Sequence, residues 1–161
     1  FYNCWKINQY IVNILTNNIG GKTYSINTNI IVKASKYNID KIVLFFIKTK
    51  KIDPNYVDRE TGDTPFIWTI RNNNKNLAFH MLRTYDINVN HQDNNGFTAL
   101  HWACETQQLD TVMFLVDNHA DVNVINKDGY SPIFLAISRA ACLPRLLFFI
   151  NSIWNLLYNF G

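Results

Sequence analysis

The sequence predicts an all-α fold, a solenoid of about four stacked helix-turn-helix repeats with β-hairpin-like tips. Its main sign is a period of 33 to 34 residues, because Gly62, Gly96 and Gly129 each stand two residues before a Ser or Thr. Apolar residues at helical spacing follow each of these glycines. With 48% of its 161 residues hydrophobic and only 17% charged, the chain has enough apolar material for a continuous core. One elongated domain is therefore expected.

The repeat with the clearest pattern covers residues 91–123. Gly96 supplies the positive φ of a tight turn, and the Thr98 hydroxyl can cap a helix that starts at Ala99. Apolar residues then recur at helical spacing on either side of the polar segment 105–108. This pattern predicts two short antiparallel helices behind one turn.

Three further repeats are predicted from the same pattern. In the second repeat, 58–90, and the fourth, 124–150, a Thr or Ser precedes a proline, so its hydroxyl can cap a helix whose first residue lacks an N–H group. The first repeat, 28–57, has both apolar helices without a glycine turn and is predicted to be degenerate. Because one repeat cannot bury its own apolar faces, the four are expected to stack.

These motifs resemble the ankyrin repeat family. Gly96, Thr98, the run 99–101 and Ala103 fall on its G-x-T-P-L-H-x-A element, and the run 120–123 falls on its G-A-D-V-N element. Ala99 and Ala120 replace the family's proline and second glycine. The resemblance implies a protein-protein interaction scaffold that binds a protein or peptide in a concave groove formed by turn tips and first helices.

Carried onto this chain, the family pattern gives two sets of partner-binding residues. The turn-tip set is Arg59, Glu60, Asp63, Asn94, Asn95, Phe97, Lys127, Asp128 and Tyr130. The groove set is Arg71, Asn72, Glu105, Thr106, Ser138 and Arg139. Phe97 and Tyr130 follow the repeat glycines, so they are either aromatic anchors for a partner or shields for the neighbouring turn.

A weaker resemblance concerns a family of enzymes. The segments 31–37, 64–68 and 99–103 are similar to the cytosolic ankyrin region of DHHC-type protein S-acyltransferases, in which a first-helix Trp is frequent. The alternative function is therefore a substrate-recruiting region of a membrane-bound acyltransferase. The Asp-His-His-Cys motif is absent from these 161 residues, so the chain as given is expected not to be an enzyme.

The sequence offers little catalytic chemistry. His101 and Cys104 stand three residues apart, the spacing of two metal ligands or of a nucleophile and its base. Structural roles are predicted, because the resemblance implies that this histidine bonds to the next repeat and that a small residue occupies the cysteine position. Trp68 and Trp102 recur at one repeat position and predict a core ladder. No catalytic residue, metal or cofactor is expected.

The two ends of the chain lack the repeat pattern. Residues 1–27 are predicted to form a capping segment over the first repeat, with a partner-binding or membrane-surface helix as the alternative. Residues 151–161 continue an apolar run that is shorter than the roughly 20 residues that span a bilayer. This segment either packs against further chain or a partner, or approaches a membrane.

Charge and cysteine content limit the partners and the cellular compartment that are expected. Up to Val57 the chain has eight lysines and two aspartates, so the net charge of +3 conceals a basic end. Lysines without arginine or interleaved aromatic residues are a poor nucleic-acid signature, so solvated helix faces and no nucleic-acid partner are expected. Cys4, Cys104 and Cys142 have no disulfide or metal spacing. They predict a reducing, cytoplasmic location, in the cytosol or on the cytosolic face of a membrane.

Overall fold

The computed structural model describes residues 29–50 and 52–139. This part of the chain forms seven α-helices and no β-strand. The helices are α1 (Asn29–Lys36), α2 (Asp40–Lys50), α3 (Pro65–Arg71), α4 (Lys75–Thr84), α5 (Ala99–Glu105), α6 (Leu109–Asp117) and α7 (Pro132–Arg139). The predicted capping segment 1–27, the rest of the fourth repeat and the apolar segment 151–161 lie outside the described residues.

The helices pair and stack as repeats. In each of the first three repeats the first helix packs on the second, as α1 on α2, α3 on α4 and α5 on α6. The first helices also pack on one another in chain order, from α1 through α3 and α5 to α7. The predicted all-α repeat fold is therefore confirmed, whereas the predicted domain boundaries stay predictions.

Local capping explains where the first helices begin. The Thr64 hydroxyl accepts a hydrogen bond from the Ile67 amide at 3.2 Å, and Pro65 occupies the first helical position. Thr98 and His101 form a capping box, in which each side chain bonds the other residue's backbone N–H. The predicted start of α5 at Ala99 is thus confirmed.

The turns in front of the first helices are the tips of the repeats. Gly62, Gly96 and Gly129 adopt φ values of 73°, 80° and 81°. Each tip is closed by backbone hydrogen bonds, such as Asp93 N to Phe97 O at 2.9 Å. Neighbouring tips are also joined, since the Asn94 amide donates to Thr61 O at 3.0 Å. The tips thus have hairpin-like bonding without strands.

In each of the first three repeats, a left-handed residue closes the turn between the two helices. Asn38, Asn73 and Gln107 have φ values of 61°, 53° and 55°. Asn is among the non-glycine residues that tolerate this region best. The side chain of Asn74 then donates to Asn38 Oδ1 at 2.6 Å and to Asp40 Oδ1 at 2.7 Å. These bonds hold repeat two against repeat one at the side opposite the tips.

The core lies between the helix layers and runs through all the described repeats. Both layers contribute to it, and each of the first three repeats supplies large side chains with 2% exposure or less, while repeat four adds Leu135 and Ala136 at 6% and 3%. The largest of these are Phe46, Phe66, Ile31, Ile67, Ile70, Met81, Leu100 and Leu115. The continuity of this core fixes the first helices and tips relative to one another, and so shapes the face they share.

Candidate functional site

An open pocket lies where the tips of repeats two and three meet the first helices of repeats one to three. Its volume is about 410 Å³. It is lined by Lys36, Glu60, Thr61, Asp63, Trp68, Arg71, Asp93, Asn94, Asn95 and Trp102. Five of the predicted partner-binding residues meet here, namely Glu60, Asp63, Arg71, Asn94 and Asn95.

Arg71 is the central side chain of the pocket. Its Cζ atom lies 4.1 Å from the ring centroid of Trp68 and 4.1 Å from that of Trp102. Its Nη1 atom also donates to Asp63 Oδ2 at 3.1 Å. Guanidinium groups stack well on aromatic faces while their N–H groups remain free to bond in the plane. Three neighbours therefore fix the orientation of this one cation.

The stack extends beyond Arg71 in both directions. Lys36 Nζ lies 5.0 Å from the Trp68 ring centroid, and the ring centroids of Phe97 and Trp102 are 4.8 Å apart. We call these five side chains, Lys36, Trp68, Arg71, Trp102 and Phe97, the Arg71 stack. Both tryptophans are half-buried, pack against the core and line the pocket. The predicted core ladder is therefore only half right, because cations fill the spaces beside the rings.

Asp63 differs most from its predicted place. The sequence pattern puts it on a turn tip, but the residue is only 1% exposed. Burial raises the pKa of Asp63, against the opposing effects of the Arg71 charge and the Thr61 hydrogen bond. Among the described residues its Oδ1 atom has no hydrogen-bond partner. Asp63 therefore lies behind the tip, where its carboxylate forms an ion pair with Arg71.

A second carboxylate, Asp93, shapes the neighbouring tip. Its Oδ1 atom accepts from the amides of Asn95 and Phe97 at 2.8 and 2.9 Å. Its Oδ2 atom accepts from Trp102 Nε1 at 3.2 Å. Asp93 thus locks the tip of repeat three and one wall of the pocket together.

Some pocket residues were missed by sequence reasoning. These are Lys36, Thr61, Trp68, Asp93 and Trp102. The recurrence of Trp at one repeat position was the available signal, and an arginine three residues after the first of these tryptophans strengthens it. The missing step was to place the rings beside the groove instead of inside the core.

The remaining predicted site residues lie outside this pocket. Glu105 forms an ion pair with Arg139 of the next repeat, and the hydrogen bond that this carboxylate accepts raises the pKa of Arg139. Tyr130 is 41% exposed and stacks on Phe134 with 4.6 Å between centroids. Asn72 is half-buried and donates to two backbone carbonyls of α1. The others are exposed, namely Arg59, Thr106, Lys127, Asp128 and Ser138.

His101 and Cys104 have the structural positions that were predicted. His101 Nδ1 accepts from the Thr98 amide at 3.1 Å, so Nε2 carries the proton and donates to Tyr130 O at 3.1 Å in the next repeat. Burial lowers the pKa of His101, which keeps the ring neutral. Burial also raises the pKa of the Cys104 thiol to about 12. Within residues 29–50 and 52–139, no three His, Cys, Asp or Glu side chains are grouped to hold a metal ion.

Comparison with known proteins identifies the repeats. A family model described as ankyrin repeats in three copies matches residues 30–126 and 78–152. The chain belongs to the ankyrin repeat family. Such repeats are in general non-catalytic modules that bind other proteins through their stacked surface. No helix in the described part of the chain is both long and apolar enough to cross a membrane.

Several long proteins contain segments similar to this chain. BCL-6 corepressor-like protein 1 from Mus musculus is 34% identical over 77 residues, which are 48% of this chain and 4% of that protein. Ankyrin repeat protein OPG189 from Variola virus is 29% identical over 85 residues, 53% of this chain and 15% of that protein. Alpha-latroinsectotoxin-Lt1a from Latrodectus tredecimguttatus is 46% identical over 100 residues, 62% of this chain and 7% of that protein. The chain thus spans a small part of each relative.

Proposed function

We propose that this chain is a protein-interaction module that binds a protein or peptide partner on the face formed by the turn tips and first helices of repeats two to four. It binds without a cofactor and without catalysing a reaction. The observation that carries the proposal is the pocket of about 410 Å³ on this face, with Arg71 fixed between two tryptophans. Nucleic acid is not the proposed partner.

Several side chains on this face are already fixed in the free protein, which supports the proposal. Binding costs free energy when flexible side chains must be immobilised, so groups already fixed in the free protein lose less on binding. The Arg71 stack and the two buried aspartates fix the floor of the pocket through contacts within the chain. Trp and Arg are also the residues that contribute most to many protein interfaces.

The exposed parts of the tips supply contacts around this floor. Glu60 and Asn95 are exposed beside the pocket, and Tyr130 offers an exposed aromatic face further along the stack. Tyr130 is a better candidate for an aromatic anchor than Phe97, because its ring is exposed whereas Phe97 is half-buried against Trp102. We propose Glu105 and Arg139 as residues that set register, as a pair and not as two independent charges.

The proposed location is the cytoplasm. Cys104 is buried and unpaired, as expected for a thiol in a reducing compartment. Contact with a membrane is proposed only through a longer chain or through the apolar C-terminal segment. The recruiting role in an acyltransferase stays a prediction from the sequence.

Selection from a random peptide library against the 161-residue chain tests the proposed face. An enriched peptide is titrated into ¹⁵N-labelled protein, and amide shifts are followed at the tips and on the second helices. We expect the largest shifts at Glu60, Asn94 and Asn95, and small shifts on α4 and α6. Shifts concentrated on α4 and α6 would assign binding to the opposite face.

A further inference from the structure

We infer that the pocket receives a carboxylate side chain, Asp or Glu, from an extended segment of the protein partner, and that Arg71 and Lys36 bind it. This inference rests on the proposed function and adds the chemistry that the pocket recognises. Its basis is the distribution of used and unused hydrogen-bonding groups around Trp68.

The unused donors in the pocket belong to the two cations. Arg71 has five N–H donors, and among the described residues the only acceptor it contacts is Asp63, through Nη1. Its side chain is 29% exposed, so part of the guanidinium reaches solvent. Lys36 is exposed, lies 5.0 Å from the Trp68 ring centroid and has no acceptor among the described residues. A partner carboxylate is the acceptor that suits a guanidinium and an ammonium group together.

The acidic groups of the pocket are largely committed. Asp93 uses both of its oxygens on the neighbouring tip and on Trp102. Asp63 is 1% exposed and pairs with Arg71. Only Glu60 offers an exposed carboxylate. The pocket therefore exposes two cations and one anion to solvent. This balance favours a negatively charged partner group over a Lys or Arg side chain.

Arg71 is also held in a suitable geometry. An arginine side chain normally loses rotamer freedom when it binds, but the two tryptophan faces and Asp63 have already fixed this one. The planar group can then bond a carboxylate in its own plane, in the manner of bidentate arginine-carboxylate pairs. A single negative charge fits better than a phosphoryl dianion, because Asp63 and Asp93 lie in the same lining.

Asp63 provides an independent argument. Its side chain is buried with one oxygen unpartnered, which is costly for a carboxylate. The equivalent tip positions of repeats three and four hold the aromatic residues Phe97 and Tyr130, so the fold does not require an acid there. The structural effect of this acid is to hold Arg71, which makes Asp63 a positioning residue for the proposed contact.

The test uses random peptides selected on the wild-type 161-residue chain. The affinity of an enriched peptide is compared with that of its copies in which each acidic residue is replaced by its amide, one at a time. We expect one acidic position at which Glu→Gln or Asp→Asn weakens binding by about tenfold, as expected for loss of one charged contact. With Arg71→Gln the same peptide change should alter affinity less than about twofold.

The matched control is Arg83→Gln. Arg83 is an exposed arginine on α4, with its Cζ atom 5.6 Å from the Phe114 ring centroid. In this variant the tenfold effect of the acidic position should persist. Lys36→Gln should reduce the effect in part. Urea unfolding of Arg71→Gln, Lys36→Gln and Arg83→Gln verifies that each variant remains folded. Arg71→Lys provides a second variant at position 71, which keeps the charge but lacks the planar guanidinium.

The possible outcomes separate the inference from the proposed function. Peptides that bind the tip face without any acidic dependence would overturn the inference and leave the proposed function standing. Enrichment of Lys or Arg at the pocket would likewise overturn it. An acidic dependence that Arg71→Gln and Arg71→Lys both leave intact would place the contact elsewhere. Failure of any peptide to bind would contradict both proposals.

Discussion

His101 joins two repeats through a single neutral ring. It donates from Nε2 to Tyr130 O, while Nδ1 accepts from the Thr98 amide. Protonation of Nδ1 would replace that acceptor with a donor and break the capping box. The sequence predicted the bond to the next repeat through the family pattern, and the structure adds the tautomer.

This arrangement predicts a pH dependence of stability. The pKa of His101 is lowered by burial from its ordinary value of 6.5, so the unfolded chain takes up this proton first as the pH falls. The stabilisation is complete above about pH 6.5 and is lost towards the lowered pKa. The difference in free energy of unfolding between wild type and His101→Gln should shrink from pH 8 to pH 5, by urea titration. A constant difference would mean that His101 does not titrate differently on folding.

Asp63 predicts the opposite dependence. Burial raises the pKa of Asp63 above 3.8, so its ionised form is less favourable in the folded chain than in the unfolded one. Its contribution to stability therefore falls as pH rises from about 3.8 through the raised pKa. We expect Asp63→Asn to gain stability relative to wild type between pH 4 and pH 7. At pH 7 a loss above about 1 kcal/mol in this variant would show that the Arg71 pair outweighs burial.

Cys104 predicts a protected thiol. It is 1% exposed, and burial raises its pKa to about 12, so almost no reactive thiolate exists at neutral pH. Alkylation by iodoacetamide at pH 8, followed at this cysteine by peptide mass spectrometry, should be slow in the native protein and fast in urea. Rapid native labelling would contradict the structural role.

At the scale of elements, the tips can be compared directly. A Cβ atom added at Gly96 would lie 2.9 Å from the backbone nitrogen of Lys127, whereas one added at Gly129 meets no atom within 4 Å. Both residues have φ near 80°. Gly129→Ala should therefore cost about 1–2 kcal/mol from backbone strain alone, and Gly96→Ala clearly more. Equal losses of unfolding free energy in urea titrations would mean that a Cβ atom at Gly96 does not clash with the neighbouring tip.

The regular elements were predictable because their causes are local. A glycine followed by Thr or Ser encodes both the tip and the helix start, and this signal recurs at a fixed period. The degenerate first repeat was found from its apolar spacing alone. Its Asn38 has the same left-handed conformation as Asn73 and Gln107, a feature that no single residue type marks in the sequence.

At the scale of the whole molecule, the pocket was harder to predict. The Arg71 stack joins side chains from three repeats, and its two contacts between repeats, Lys36 with Trp68 and Arg71 with Trp102, form only after the first helices have packed. The contact between Asp63 and Arg71 lies within repeat two, where it joins the tip to the C-terminal end of α3. The weak resemblance to S-acyltransferases depended partly on the two tryptophans. These tryptophans have a local role beside Arg71. The resemblance to S-acyltransferases therefore stays a prediction.

The stack of described repeats also ends on an apolar surface. Phe134 and Ile137 are 49% and 44% exposed. The equivalent residues of repeat three, His101 and Cys104, are 1% exposed or less, because α7 packs against α5. The difference follows from position in a solenoid, where each repeat covers the previous one.

The central claim is that the partner occupies the pocket between the tips and the first helices. Its most direct test is a pair of identical substitutions, Asn95→Glu in the pocket lining and Asn76→Glu on α4, both at exposed asparagines. The affinity of a peptide selected on the wild-type chain is measured for each variant by fluorescence anisotropy. We predict that Asn95→Glu weakens binding by about tenfold or more, through steric obstruction and repulsion of the partner's carboxylate, and that Asn76→Glu leaves it unchanged. Unchanged binding by Asn95→Glu, or an equal loss in both variants, would contradict the account.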